Sequence, residues 1–318
     1  MMLAQNHLRQ LNGSDFYLLE YSLEHKIKKA AEFEKSGKNL HAIQVYNSLI
    51  NENPEFVDSF IKLASLYEKT GQIESAKDVY KTGLKFNSKN IDLLLSNGQF
   101  FIRNKLWVDA LDILKKLSPE DEPFVSLLIA YAYFNLEDYE LSKMHLLRFV
   151  ISDEQPELIY EAYLYLAKIE YVFNRFEDAL KYIAKAELLL NDYWELHFVK
   201  AKILYRLKMY SNSEAAIKWA LKLNSKEPEL HSWAGKIYIK CEEFEKAERH
   251  LITFLESQKT VSSETHLALA DAFQKQNKYL EAEKFLNAAL LLDPQNLDIS
   301  ERKKILSNLI NSTTASDA

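Results

Sequence analysis

Three histidines return at nearly one interval, His197, His231 and His266, and imidazole is the commonest metal ligand among side chains. Coordination would need all three within about 2 Å of one ion. A spacing of 34 and 35 residues instead places them at equivalent points of a repeated module. Neighbouring helices there stand about 8–10 Å apart, so the three are read as partly buried packing residues. No other residue set offers reaction chemistry. The six glycines build no phosphate-cradling loop, and neither HExxH nor CxxC occurs. Cys241 is the only cysteine, and the paired Glu242 and Glu243 fall in a turn. The expectation is no enzyme, no cofactor and no metal.

The same interval recurs in charged residues, where the chemistry is that of binding. Lys168, Lys202 and Lys236 are 34 residues apart, with Arg206 and Lys240 one helical turn beyond the last two. An acidic column runs through Glu24, Asp58, Asp92, Glu161, Glu195, Glu229 and Glu264. Carboxylates in a helix's first turn also offset its unpaired N–H groups and dipole, which accounts for that column without any ligand.

The elements that carry these residues follow from two columns of small side chains. One holds Ala30, Ala64, Gly98, Ala130, Ala167, Ala201, Gly235 and Ala270; twelve residues later come Ala42, Ala76, Ala110, Ser142, Ala179, Ser213, Ala247 and Ala282. Small residues let two antiparallel helices cross closely. Bulky residues follow at helical spacing: Phe33, Tyr67, Phe101, Tyr133, Tyr238 and Phe273 in the first helix of each pair, Tyr46, Tyr80, Leu114, Leu146, Ile183, Ile217, Leu251 and Leu286 in the second. Trp107, Tyr139, Phe176, Tyr210, Phe244 and Tyr279 precede the second small column by three and plug each hairpin, with only Asn39 and Ile73 breaking the run. All six prolines fall where one hairpin hands over to the next, outside helix interiors. Gly37 and Gly71 mark turns inside hairpins. Nothing alternates with the period of two that strands show, so the chain is expected to be all-α.

This pattern resembles the tetratricopeptide repeat family, whose units are 34-residue helix–turn–helix hairpins. The likeness covers about Leu23 to Asn296 and is strongest in the second unit (Phe60, Leu63, Ala64, Tyr67, Gly71, Ala76, Tyr80) and the eighth (Leu269, Ala270, Phe273, Tyr279, Ala282, Ala289, Pro294). Departures are Ser142 and Ser213 in the alanine column, Glu170 in place of an aromatic, and no closing proline in unit four. The resemblance implies a right-handed α-solenoid, a superhelix of eight hairpins starting near 23, 57, 91, 123, 160, 194, 228 and 263, expected as one domain over 23–296. Residues 1–22 are expected as an N-terminal helical extension, with Ser14 or Asp15 capping a long helix. Its Phe16, Tyr17, Leu18, Leu19 and Tyr21 either pack on the first hairpin or serve self-association. Residues 297–311 are expected as a capping helix and 312–318 as a disordered tail.

Composition narrows the partner. A net charge of −6 and a pI near 5.8 leave no basic footprint for nucleic acid. No N-terminal apolar stretch and no run of about 18 apolar residues point to secretion or a membrane, so a cytoplasmic location is expected. The resemblance implies that first helices line a concave groove. Carried over unit by unit, that groove gathers Phe124, Leu127, Leu128, Tyr131 and Phe134 from unit four, and Leu164, Tyr165, Lys168 and Tyr171 from unit five. Units six and seven add Phe198, Val199, Lys202, Tyr205, Arg206, Trp233, Lys236 and Lys240. Aromatics beside positive charges are what binding hot spots use. The expected partner is therefore another protein, an extended or helical segment with apolar and acidic side chains meeting the lysine row. The alternative is that the lysines pair with neighbouring glutamates and some aromatics belong to the core. A structural subunit of a larger assembly and the regulatory part of a larger enzyme are the other readings of function.

Overall fold

The computed structural model describes residues 13–118, 122–152, 155–257 and 262–316, with 13–21 and 311–316 as backbone. Seventeen helices and no strand occur among them. The chain divides into two compact units, Met1–Ser152 and Asp153–Ala318, holding hairpins one to four and five to eight. The division falls at the junction with the longest spacing between alanine-column residues, Ser142 to Ala179.

In the N-terminal unit α1 (Gly13–Lys35) pairs with α2 (Asn39–Glu52), α3 (Val57–Lys69) with α4 (Ile73–Phe86), α5 (Ile91–Arg103) with α6 (Trp107–Leu114), and α7 (Pro123–Asn135) with α8 (Tyr139–Ser152). In the C-terminal unit α9 (Pro156–Val172) pairs with α10 (Phe176–Leu189), α11 (Trp194–Arg206) with α12 (Tyr210–Leu223), α13 (Pro228–Lys240) with α14 (Phe244–Ser257), and α15 (Ser263–Lys275) with α16 (Tyr279–Leu292). A last helix, α17 (Leu297–Ser316), packs on α16. It continues past the expected boundary at 311; residues 317 and 318 lie outside the described residues. Ser14 and Asp15 lie inside α1 rather than capping it. The side chains of Phe16 to Tyr21, and with them the reading of that segment, lie outside what is described.

Within each hairpin the two small columns sit at the crossing. Ala30, Ala64, Ala130, Ala167, Ala201, Ala42, Ala76, Ala110, Ala179, Ala247 and Ala282 are completely buried. At Ser142 and Ser213 the extra hydroxyl has a partner: each Oγ donates to the first helix, to the Ala130 carbonyl at 2.9 Å and the Ala201 carbonyl at 2.8 Å. A buried donor without an acceptor would cost 1–3 kcal/mol or so, so this bond is what lets serine replace alanine. Pro123, Pro156 and Pro228 open α7, α9 and α13, the first-turn position where the missing N–H has no partner to lose. Pro119 lies outside the described residues.

Each hairpin turn carries a left-handed residue seven positions after its first small residue. Glycine fills it twice, Gly37 (φ 72°) and Gly71 (φ 76°); the rest are Lys105, Glu137, Asn174, Lys208, Glu242 and Asn277, with φ of 58–63°. Just after the turn, the plug residues open the second helices. Three of them meet a first-helix ring edge-on: Phe134–Tyr139 at 5.5 Å, Tyr171–Phe176 at 5.7 Å and Tyr205–Tyr210 at 5.6 Å.

The candidate binding face

On each first helix of hairpins six and seven, a glutamate, an aliphatic or aromatic residue and a lysine share one stripe: Glu195, Val199 and Lys202; Glu229, Trp233 and Lys236. Glutamate and lysine are seven residues, two turns, apart, which keeps them on the same face. Side chains tilt toward a helix's N-terminus, so each lysine reaches the glutamate of the next hairpin. Lys168 Nζ donates to Glu195 Oε1 at 2.7 Å, Lys236 Nζ donates to Glu264 Oε1 at 2.8 Å, and Lys202 Nζ lies 3.9 Å from Glu229 Oε1. The lysine row expected to meet a partner's carboxylates is thus engaged by the acidic column of the chain itself. The Lys168, Lys202 and Lys236 side chains are 18, 26 and 25% exposed, against 28, 57 and 72% for Glu195, Glu229 and Glu264. The charge nearer to solvent along this ladder is negative.

Aromatic rings surround the ammonium groups. Lys168 Nζ lies 4.3 Å from the Tyr165 ring centroid. Lys202 Nζ has Phe198 at 5.2 Å, Trp233 at 5.3 Å and Tyr171 at 5.5 Å. Burial holds the Lys202 amine below its ordinary pKa of 10.5, Glu229 pulling the other way. Burial, then the Glu195 and Glu161 carboxylates, push the Tyr165 phenol up to about 12. The Tyr193 hydroxyl closes the Glu195 site by donating to Oε2 at 2.9 Å. Arg206 lies over Phe176 and Tyr171, with Nη2 donating to Asn174 at 2.9 Å, and remains exposed like Lys240.

The structure divides the expected groove residues in two. Tyr165, Tyr171, Tyr205 and Trp233 are half-buried on the face with the ladder, and Phe124, Tyr131 and Phe134 are half-buried in hairpin four. Leu127, Leu128, Leu164, Phe198 and Val199 are buried at 1 to 6% exposure, so they belong to the core. Their stretch of helix packs against the adjoining first helix as well as its own partner, and α7 in particular carries apolar side chains on nearly every side. The histidine column also packs. His197 Nε2 donates to the Asn191 carbonyl at 2.7 Å, and the His231 ring lies 3.0 Å, Nδ1 to Nδ1, from His250. His266 Nδ1 lies 3.1 Å from the Ser262 carbonyl. No cluster of three or more metal ligands occurs among the described residues.

Sequence reasoning passed over the same face of hairpins one and two. A hollow of about 460 Å³ there is lined by Glu34, Lys35, Tyr46, Lys62, Ser65 and Lys69, among others. The Tyr46 hydroxyl donates to Glu34 at 2.7 Å and Lys69 lies 3.6 Å from it. One hairpin on, Arg103 grips Glu68 through two bonds of 3.0 and 2.7 Å. The signal was in the sequence: Lys35, Lys69 and Arg103 recur every 34 residues, two of them facing a glutamate one hairpin back.

Two hairpins, residues 57–90 and 263–296, match the family model described as tetratricopeptide repeat. Among solved structures the fold is similar to the APC/C hetero-tetramer Cut9–Hcn1, at 14% identity and a TM-score of 0.60; the match takes in 96% of this chain but 58% of that one. PilW, a widely conserved type IV pilus biogenesis factor, is similar at 14% identity and a TM-score of 0.55, over 66% of this chain and 97% of its own. No curated protein matches the sequence. Among the described residues no helix is long and apolar enough to cross a membrane.

Proposed function

We propose, from the premise that this chain is a tetratricopeptide-repeat array, that it is a non-catalytic scaffold holding a segment of another protein along the first-helix face of hairpins five to seven. Arrays of this fold are protein-interaction scaffolds. The observation that carries the finer reading is the set of half-buried rings, Tyr165, Tyr171, Tyr205 and Trp233, left on a face whose lysines are already neutralised. Such rings offer contact area at low entropic cost. The face is also split in charge. Glu229 and Glu264 project along one edge, Arg206 and Lys240 along the other. Eleven residues separate Glu229 from Lys240, about 16 Å of helix. That width admits an extended strand or one α-helix of about 10–12 Å diameter. The segment would seat apolar side chains on the rings, acidic ones toward Arg206 and Lys240, and basic ones toward Glu229 and Glu264.

The test places a photo-crosslinking residue at Tyr171 or Tyr205 on this face, and at Lys181 on α10 as control. Crosslinks from the two tyrosine positions should converge on one segment of one partner and disappear with Trp233→Ala. Scattered crosslinks, or the same partner captured from Lys181, would end this reading. A second reading, a subunit of a larger assembly, draws on Leu291, Leu297 and Ile305, which stand 82, 83 and 59% exposed near the C-terminal end.

A further inference from the structure

The second helices keep a bulky residue three positions after their small residue, and in four hairpins it is a ring that fills the space against the first helix. Tyr182 stacks on Tyr163 at 6.2 Å and His145 on Tyr133 at 5.8 Å. His250 lies between His231 and Tyr238, at 5.0 and 5.4 Å, and Phe285 between His266 and Phe273, at 6.1 and 5.3 Å. In hairpins seven and eight the first-helix walls of this slot stand four residues before and three after the small residue. In hairpin six the corresponding walls are His197 and Leu204, and the residue that should fill the slot is Ala216. A hollow of about 470 Å³ remains, bounded by these three residues and by Trp219, among others.

A second departure opens onto the same hollow. Six positions after the small residue every other hairpin has a small, polar or charged side chain (Ser48, Thr82, Lys116, Arg148, Lys185, Thr253, Ala288), whereas hairpin six has Trp219. This indole is 51% exposed and stacks on His197 at 6.1 Å. The hollow opens between α10 and α12, on the opposite side of α11 from Lys202 and Glu195. Its rim is polar. Lys200 Nζ donates to both Glu187 oxygens, at 2.7 and 2.9 Å, and Asn191 and Asn212 stand exposed at the mouth.

We infer that this slot receives an aromatic side chain, tyrosine or phenylalanine, from a segment of a partner protein. The array itself shows what such a space accepts, since rings occupy it in hairpins four, five, seven and eight. A missing ring and an added exposed tryptophan in one hairpin turn a packing site into a receptor site. The two asparagines, each able to donate and accept, suit the peptide groups flanking the incoming side chain. This site is independent of the first-helix face proposed above.

The test follows the indole N–H resonances of the four tryptophans in the ¹⁵N-labelled full chain. N-acetyl-tyrosine N-methylamide is titrated in, alongside the leucine analogue and p-cresol. The tyrosine derivative should shift the Trp219 resonance saturably, at lower concentration than either comparator, and leave Trp107, Trp194 and Trp233 in place. Ala216→Tyr, which restores the ring of hairpin five, should abolish the shift without lowering Tm. Should that variant fail to fold, Ala216→Val, the residue of hairpins one and two, should weaken it. A Trp219 resonance that does not move, or moves equally in the filled variants, overturns the proposal; p-cresol binding as well as the amide overturns its assignment to a protein segment.

Discussion

The Lys202 ammonium lies 5.3 Å from the ring centroid of Trp233, a residue of the following hairpin. With Phe198 and Tyr171 it completes a three-sided aromatic enclosure around a cation whose carboxylate partner, Glu229, is mostly in water. Cation–π contacts are worth about 0.5–2 kcal/mol, while burial, joined by the Lys168 and Lys236 charges, holds this amine below its ordinary pKa against the pull of Glu229 and Glu195. Lys202→Met, which keeps the stem and drops the charge, should leave stability unchanged or raise it by about 1 kcal/mol. The sign extends to pH. A lysine with a lowered folded-state pKa destabilises at neutral pH, and the penalty lifts as pH rises through that lowered value toward 10.5. Thermal melts between pH 7 and 10 should show the two proteins converging; a variant that melts well below the parent at pH 7 would mean the cage holds its cation favourably.

His250 supplies a pH dependence at the acid end. Burial first, then the facing His231 and the nearby Arg249, lower its pKa from 6.5 to about 4. The unfolded chain therefore takes up this proton before the folded one. The stabilisation is complete above pH 6.5 and is lost as pH falls toward 4, a change of roughly 3 kcal/mol for a single group. His250→Phe, the residue hairpin eight uses in the same register, should flatten Tm across pH 4 to 6.5. Parallel curves for the two proteins would refute this assignment.

Glu170 occupies a column otherwise filled by Phe, Tyr or, in hairpin six, Leu204. Its side chain is 3% exposed, with Arg175 Nη1 at 3.5 Å. Arg175 is 53% exposed and regains water when the contact is lost, so an apolar residue of similar volume removes the cost of burying the carboxyl group. Glu170→Leu should accordingly raise the urea midpoint; a drop of comparable size would assign Glu170 a structural bond that leucine cannot replace.

The left-handed turn position offers a backbone test. Holding Lys208 at φ 60° and Glu242 at φ 61° costs about 1–2 kcal/mol each, part of which glycine's larger unfolded-state entropy returns. Lys208→Gly and Glu242→Gly should each gain about 0.5–1 kcal/mol, and additive gains in the double variant would mark the two turns as independent. Loss of stability in either variant would mean the lysine or glutamate side chain matters more than its backbone.

Much of this is legible in the sequence. Two small columns twelve apart fixed the crossing, and prolines placed the junctions. The left-handed position showed itself only where glycine filled it, because six side chains tolerate that conformation without announcing it. The lysine and glutamate columns were both visible, but their pairing runs diagonally from one hairpin to the next and depends on how neighbouring helices are offset. Leu164, Phe198 and Val199 read from sequence as part of an open face because a helical stripe has no sharp border; packing of consecutive first helices decides where water stops. Ala216 and Trp219 stood in the columns as two small irregularities, and only the unfilled slot between His197 and Leu204 links them.

The diagonal ladder makes hairpins six and seven both plug and socket. Glu195 serves the module before it and Lys202 the module after. Excising one whole period, residues 194–227, would bring Lys168 opposite Glu229 and leave neither charge stranded. An array wired this way can be shortened or lengthened by a full copy with its electrostatics intact, so its reach can evolve by duplication while the joint between copies stays the same.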